Sequence, residues 1–238
     1  MKLFILISLF SFTLNFGAES LAHSVVPDTM AERVKACTIC HHHGDGNQEK
    51  NTYYPRIAGK PEGYLFNQLR HFRDGRRYHQ PMALLLENMS DEYLQAIAHY
   101  FSQLDFPYSS PELINLKSSE TELAEKLVRL GDPQRNIPAC SACHGDALMG
   151  TAPYVPGLLG LTSAYLTAQL SGWRSGSLIR GQVTNCMSEI AKQLSYDEII
   201  ATSRWLATQT AEGGGQKALS SDLAKRCYAI FPEGEVRE

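Results

Sequence analysis

The phrase Cys-x-x-Cys-His occurs twice in this 238-residue chain, as Cys37-Thr-Ile-Cys40-His41 and as Cys140-Ser-Ala-Cys143-His144. Repetition on that scale constrains the fold more than any local pattern, because each copy must build a structural unit of its own. The copies extend well beyond the cysteines. Pro55, Gly59, Tyr64, Gln68, Leu69, Arg73 and Gly75 recur at Pro156, Gly160, Tyr165, Gln169, Leu170, Arg174 and Gly176, all displaced by 101 residues. Met82 and Ser90 recur at Met187 and Ser195, displaced by 105. The order is constant and the offset drifts by only a few residues, as insertions in loops produce. Two tandem units of roughly 90 residues follow. The first is expected over 23–106 and the second over 119–211. Between them, prolines and serines interrupt the helical pattern in a linker at 107–118, and Gly213 to Gly215 form a joint in an extension over 212–238.

Inside each unit the regular segments read as helices, so the expected fold class is all-α. In the stretch from Pro61 to Gly75, Tyr64, Leu65, Leu69 and Phe72 share one stripe, with Pro61 near the first turn and Gly75 as the stop. Ser90 is placed as the N-cap of a last helix, with Asp91 and Glu92 at the positive end of its dipole and Tyr93, Ile97, Tyr100, Phe101 and Leu104 on its apolar face. Ser195 and Glu198 form the corresponding capping box in the second unit. Few runs alternate as strands do.

A small unit with this much loop needs more at its centre than aliphatic side chains. Two thiols separated by two residues are spaced to bond covalently to one haem, and the adjacent histidine is then held over its iron. Adjacency selects His41 and leaves His42 and His43 as solvated loop residues. A zinc ribbon would bring its two cysteine pairs about 15 to 20 residues apart, not a whole helical unit apart. A thioredoxin-like dithiol requires a βαβ setting that is absent, and a plain disulfide explains neither histidine. Cys37 and Cys40, and Cys140 and Cys143, are therefore candidate attachment points for two haem c groups, with His41 and His144 as proximal ligands.

The opposite face of each iron decides whether it moves electrons or binds a substrate. Met82 and Met187 hold the same place in both repeats and offer a soft thioether that favours ferrous iron; the competing use of a methionine is to fill a core. Met89 and Met149 lack a repeat partner and take that second reading. Pro55 and Pro156 stand where a backbone carbonyl can accept the proton on the other ring nitrogen of each histidine, unless they only shape the loop.

Charge points to no polyanionic partner. The 22 basic and 25 acidic side chains are interspersed, which argues against nucleic acid and a polybasic membrane anchor. Lys2 followed by an apolar run from Leu3 to Phe16 resembles a secretory signal, cut after Ala22 to give a 1–22 signal peptide. The run is shorter than the roughly 20 residues of a spanning helix. A location outside the cytoplasm, where disulfides persist, is expected.

These residues resemble the class I cytochromes c, and their tandem arrangement is similar to the di-haem cytochrome c4 family, over nearly the whole chain to about residue 210. The resemblance rests on "CTICH" with "PACSACHG", on "YPRIAGKPEGYLFNQLRHFRDG" with "PGLLGLTSAYLTAQLSGWRSG", and on the Met-to-"SDE" and Met-to-"SYDE" spacing. It implies two class I cytochrome c domains, each wrapped around one haem and facing the other across a pseudo-two-fold interface. It also implies an electron carrier without catalytic residues, between a quinol-oxidising complex (quinol:cytochrome c reductase) and a terminal oxidase, with peripheral association at the membrane compatible with that role. The alternatives are a di-haem enzyme of thiosulfate oxidation or peroxidase type, or the cytochrome subunit of a dehydrogenase. The chain departs from the family pattern at "HHGDGN" after His41, at Cys186 before Met187, and at Cys227 in the extension. Cys186 and Cys227 can pair in an oxidising compartment, remain separate thiols, or leave Cys186 to displace Met187 on iron.

Overall fold

The computed structural model describes residues 28–41, 53–178, 186–211 and 217–218. The expected signal peptide, His42, His43 and Cys227 lie outside the described residues.

In the first repeat, α1 (Met30–Arg33) and α2 (Lys35–Cys40) lead into the first Cys-x-x-Cys-His, and α3 (Glu62–Arg73), α4 (Gln80–Leu86) and α5 (Asp91–Ser102) follow. α3 starts after Pro61 and ends at Asp74, beyond which Gly75 adopts φ +71°. α5 is entered through Ser90, whose Oγ accepts from the Tyr93 amide at 3.3 Å. Asp91 and Glu92 follow in its first turn, where the helix dipole favours negative charge. α3 packs along α5, and Val34, Leu65, Ile97, Ala98 and Phe101 form the buried cluster between them. Tyr64, Leu69, Tyr93, Tyr100 and Leu104 flank it.

The second repeat begins with α6 (Ser118–Arg129) and a 3₁₀ turn (Pro133–Arg135) before α7 (Cys140–His144), which carries the second Cys-x-x-Cys-His. A short hairpin, β1 (Gly150–Ala152) and β2 (Val155–Pro156), precedes α8 (Ser163–Ser175), α9 (Cys186–Gln193) and α10 (Tyr196–Ala207). α10 packs on both α6 and α8, burying Ala124, Val128, Leu166, Trp205 and Leu206 in one cluster. A second cluster holds Leu127, Ile137, Leu194 and Ile199.

Among the described residues, three strands of two or three residues accompany the expected helical fold. β1 pairs antiparallel with β2 and parallel with β3 (Lys217–Ala218), so the extension adds an edge strand to the second repeat. Runs of two or three residues are too short to show alternation in a sequence. Their use is positional, because the hairpin returns the chain over α7. Gly150 has φ +100°, and a Cβ there would stand 2.7 Å from the Gly157 nitrogen; one on Gly157 would stand 2.5 Å from the Met149 carbonyl. Two facing glycines let the backbones approach closely enough for Leu158 to donate to the Leu148 carbonyl at 2.8 Å.

The repeats meet at the start of α3. The Tyr64 amide donates to the Pro153 carbonyl at 3.1 Å. Gly63 allows this approach, since a Cβ there would lie 2.4 Å from the Tyr154 ring. The linker is held from both sides: Arg56 donates to the Phe106 and Pro107 carbonyls at 2.6 and 2.9 Å, and its guanidinium sits 4.2 Å from the centre of the Tyr108 ring. Glu112 then accepts from the Ser163 amide and hydroxyl at 3.2 and 2.6 Å at the start of α8.

The expected capping box closes α10, and Glu198 does more than cap. It accepts from the Ser195 amide at 2.7 Å and from both guanidinium nitrogens of Arg135 at 2.5 and 3.2 Å. Arg135 holds this buried carboxyl below its ordinary value of 4.5, assisted by Ser195. Glu198→Ala removes the cap and one of the two carboxylates on Arg135, Asp132 remaining at 2.8 Å, and is expected to cost about 1–2 kcal/mol, measured by urea unfolding of the holoprotein. Because the carboxyl's folded value is depressed, its contribution is complete above the unfolded value and fades as pH falls through the folded one. The gap between parent and variant should therefore narrow in acid.

Candidate functional site

α2 and α7 each present two cysteines three positions apart, which places both thiols on one helical face with the histidine directly after them. None of Cys37, Cys40, Cys140 and Cys143 is in a disulfide. Burial pushes Cys37 and Cys143 up and carries Cys140 to about 11. A disulfide-exchange site needs the opposite, a thiolate favoured by its surroundings. Among the described residues no three or more His, Cys, Asp or Glu side chains converge on a metal position, so the two pairs do not form one zinc site.

His41 Nδ1 lies 2.9 Å from the Pro55 carbonyl, and His144 Nδ1 lies 2.7 Å from the Pro156 carbonyl. A carbonyl only accepts, so Nδ1 carries the proton in both rings and Nε2 keeps its lone pair. Burial, as the leading cause, lowers the pKa of both rings, His144 to about 4, with the ammonium of Lys60 adding to the effect there. Both imidazoles are neutral at ordinary pH, the form that binds a metal.

One cavity of about 410 Å³ runs through both repeats, and all four thiols and both histidines line it. Its walls are largely apolar, with Ile57, Leu69 and Phe72 from the first repeat and Leu158, Leu170 and Trp173 from the second. Met82 on α4 and Met187 on α9 stand on the same walls. Met89 also reaches the cavity while packing on the first core, whereas Met149 is 9% exposed within the second core and does not line it. Repeat position, not burial, separates Met82 from Met89. Cys186 is disulfide-bonded, so its sulfur is not a thiolate beside Met187.

The donor set suits a covalently attached haem: two neutral thiols and one Nε2 lone pair per repeat, against an apolar wall. The residues between the two halves of the cavity were not singled out from the sequence. Lys60 and Arg77 of the first repeat reach its wall together with Gln68, Tyr165 and Gln169. Gln68 and Gln169 were visible as a repeated pair, but what they hold was not.

No protein-family model matches the chain. It is 35% identical to a "Thiosulfate dehydrogenase electron acceptor" of Thiomonas intermedia, over 73% of this chain and 78% of that one. It is 34% identical to a cytochrome c4 of Pseudomonas aeruginosa, over 83% of this chain and 96% of that one. The crystal structure of reduced recombinant cytochrome c4 from Pseudomonas stutzeri superposes with a TM-score of 0.62 at 28% identity, covering 75% of this chain and 96% of that one.

Helical repeats that each close around a Cys-x-x-Cys-His segment define a di-haem c-type cytochrome. The chain belongs to the cytochrome c4 family. It has the all-α fold of tandem class I cytochrome c domains, carries two haem c groups and is an electron-transfer protein rather than an enzyme.

Proposed function

We propose that the protein is a periplasmic carrier in which Cys37 and Cys40 anchor one haem and Cys140 and Cys143 the other. His41 with Met82, and His144 with Met187, hold the two irons. The observation that carries this reading is the single cavity whose walls bring both Cys-x-x-Cys-His segments together with both repeat-matched methionines. Haem iron supplies a one-electron couple. The chain's own residues do the rest: the Pro55 and Pro156 carbonyls orient the imidazoles, the apolar walls exclude water, and the Met82 and Met187 thioethers would hold the irons against oxygen and peroxide. The domains are assigned to 23–106 and 119–211, after removal of a 1–22 signal peptide.

Two donors fit this carrier. A quinol-oxidising complex, with a terminal oxidase downstream, follows from the family. A thiosulfate-oxidising dehydrogenase is favoured by the relative from Thiomonas intermedia, named as the electron acceptor of such an enzyme. Cys186 and Cys227 are proposed to share one disulfide; the bonded state of Cys186 supports this, since the other four of the six cysteines stand in the two Cys-x-x-Cys-His segments.

The ligand set is tested on the oxidised holoprotein by optical and EPR spectroscopy. Two low-spin His/Met signals are expected, and a high-spin or thiolate signal from either haem would overturn the assignment. Stopped-flow reduction by a thiosulfate dehydrogenase against reduction by a quinol-oxidising complex then separates the two donors.

A further inference from the structure

The seam between the repeats holds two cations whose side chains, among the described residues, donate hydrogen bonds to neutral oxygens only. Lys60 is 5% exposed, and its Nζ donates to the Gly157 carbonyl at 2.6 Å. Arg77 is half-buried and donates to Gln68 Oε1 at 2.5 Å, to Gln169 Oε1 at 2.6 Å and to the Tyr165 hydroxyl at 3.4 Å. Both line the cavity that holds the two Cys-x-x-Cys-His segments. For Lys60, burial of a charge with no counter-charge among the described residues costs several kcal/mol. Burial draws Lys60 down to about 7, and neighbouring Arg56 adds to the repulsion. The arrangement is a site for an anion.

The repeat shows that this site is one-sided. Gln68 and Gln169 are equivalent, and so are Tyr64 and Tyr165, yet the residues matching Lys60 and Arg77 at the same 101-residue displacement are Leu161 and Leu178. One guanidinium therefore occupies the centre of an otherwise symmetric arrangement, and both cations come from the first repeat. Lys60 crosses the seam to the carbonyl of Gly157, the residue next to Pro156, whose own carbonyl holds His144.

We propose that Lys60 and Arg77 are the counter-charges for haem carboxylates at the seam, and that the first domain thereby sets the reduction potential of the second domain's haem. This rests on the di-haem reading of the cavity. A fixed positive charge beside a haem favours the ferrous state, which carries one positive charge fewer, so removing it lowers the potential. Lys60 acts chiefly on the haem held by His144; Arg77, bridging both repeats, acts on both.

The test is a spectroelectrochemical titration of the purified holoprotein, with the two potentials assigned by the haem-methyl NMR signals of each domain. Lys60→Met is expected to make reduction of the second haem about tenfold less favourable, about 59 mV for one electron, with a smaller change at the first. Arg77→Leu, which copies Leu178, is expected to lower both potentials. Lys60→Gln separates charge from packing and should follow Lys60→Met, while Lys60→Arg should stay near the parent. Parent-like potentials in Lys60→Gln and Arg77→Leu with both haems in place overturn this inference alone. A parent protein lacking two low-spin haems overturns the underlying reading instead.

Discussion

Replacing Cys140 and Cys143 together by serine is expected to reduce the haem content from two per chain to one and to leave the second domain unable to hold its native fold. The two thiols lie on the cavity side of α7, three positions apart, and no other free cysteine among the described residues belongs to that repeat. Without the covalent anchors the cavity in that half must be filled by weaker binding or left unfilled. Half of the 410 Å³ cavity, at about 24 cal/mol per Å³ of unfilled volume, corresponds to roughly 5 kcal/mol. That is as large as the whole stability of many domains of this size. His144 adds to the loss, because its buried neutral ring, with its proton committed to Pro156, is matched to a ligand position. Haem stoichiometry by the pyridine haemochrome spectrum should halve, and limited proteolysis should cut within 119–211 while sparing the first domain. Two haems per chain and unchanged protease resistance would remove these cysteines from the attachment site.

The first domain should survive in that variant because α3 and α5 bury their own cluster around Phe101, independent of the clusters on α10. The seam is where the damage can spread. The Tyr64 amide would lose the Pro153 carbonyl and Lys60 would lose the Gly157 carbonyl if the hairpin over α7 unravelled.

Much of this architecture was legible because the residues concerned obey local rules. Ser90 and Ser195 announce the last helix of each repeat through cap chemistry, and both caps are made. The stripe of Tyr64, Leu65 and Leu69 announces the buried face of α3, and all three join or flank the first core. The Cys-x-x-Cys-His spacing carries its own chemistry. Other features depend on contacts between distant residues that no local period records. The β1–β2 hairpin is defined by two glycines facing each other across the turn, and β3 by pairing across 66 residues. Lys60 and Arg77 belong to no local motif. Their signal was present, but in the breaks of the repeat rather than in its matches, where Leu161 and Leu178 replace them.

Met187→Ala is expected to have the second large effect, and on redox chemistry rather than folding. Met187 stands on the cavity wall at the start of α9, next to Cys186, whose sulfur is committed to a disulfide. As the proposed ligand Met187 would supply a neutral, soft donor that favours ferrous iron, so its loss would lower the potential of that haem. Axial ligands span about 0.8 V, and losing one should shift the second haem by on the order of 0.2 V. The same change leaves a coordination position that carbon monoxide can take, so the reduced variant should bind it at one haem per chain where the parent binds it at neither. Met149→Ala is the control. That side chain is 9% exposed in the second core, away from the cavity, so it should lower stability by about 2–5 kcal/mol and leave both potentials alone. If Met187→Ala instead kept its potential and stayed closed to carbon monoxide while Met149→Ala did not, the sulfur on iron would be Met149, and the repeat register that selects Met187 would be misassigned.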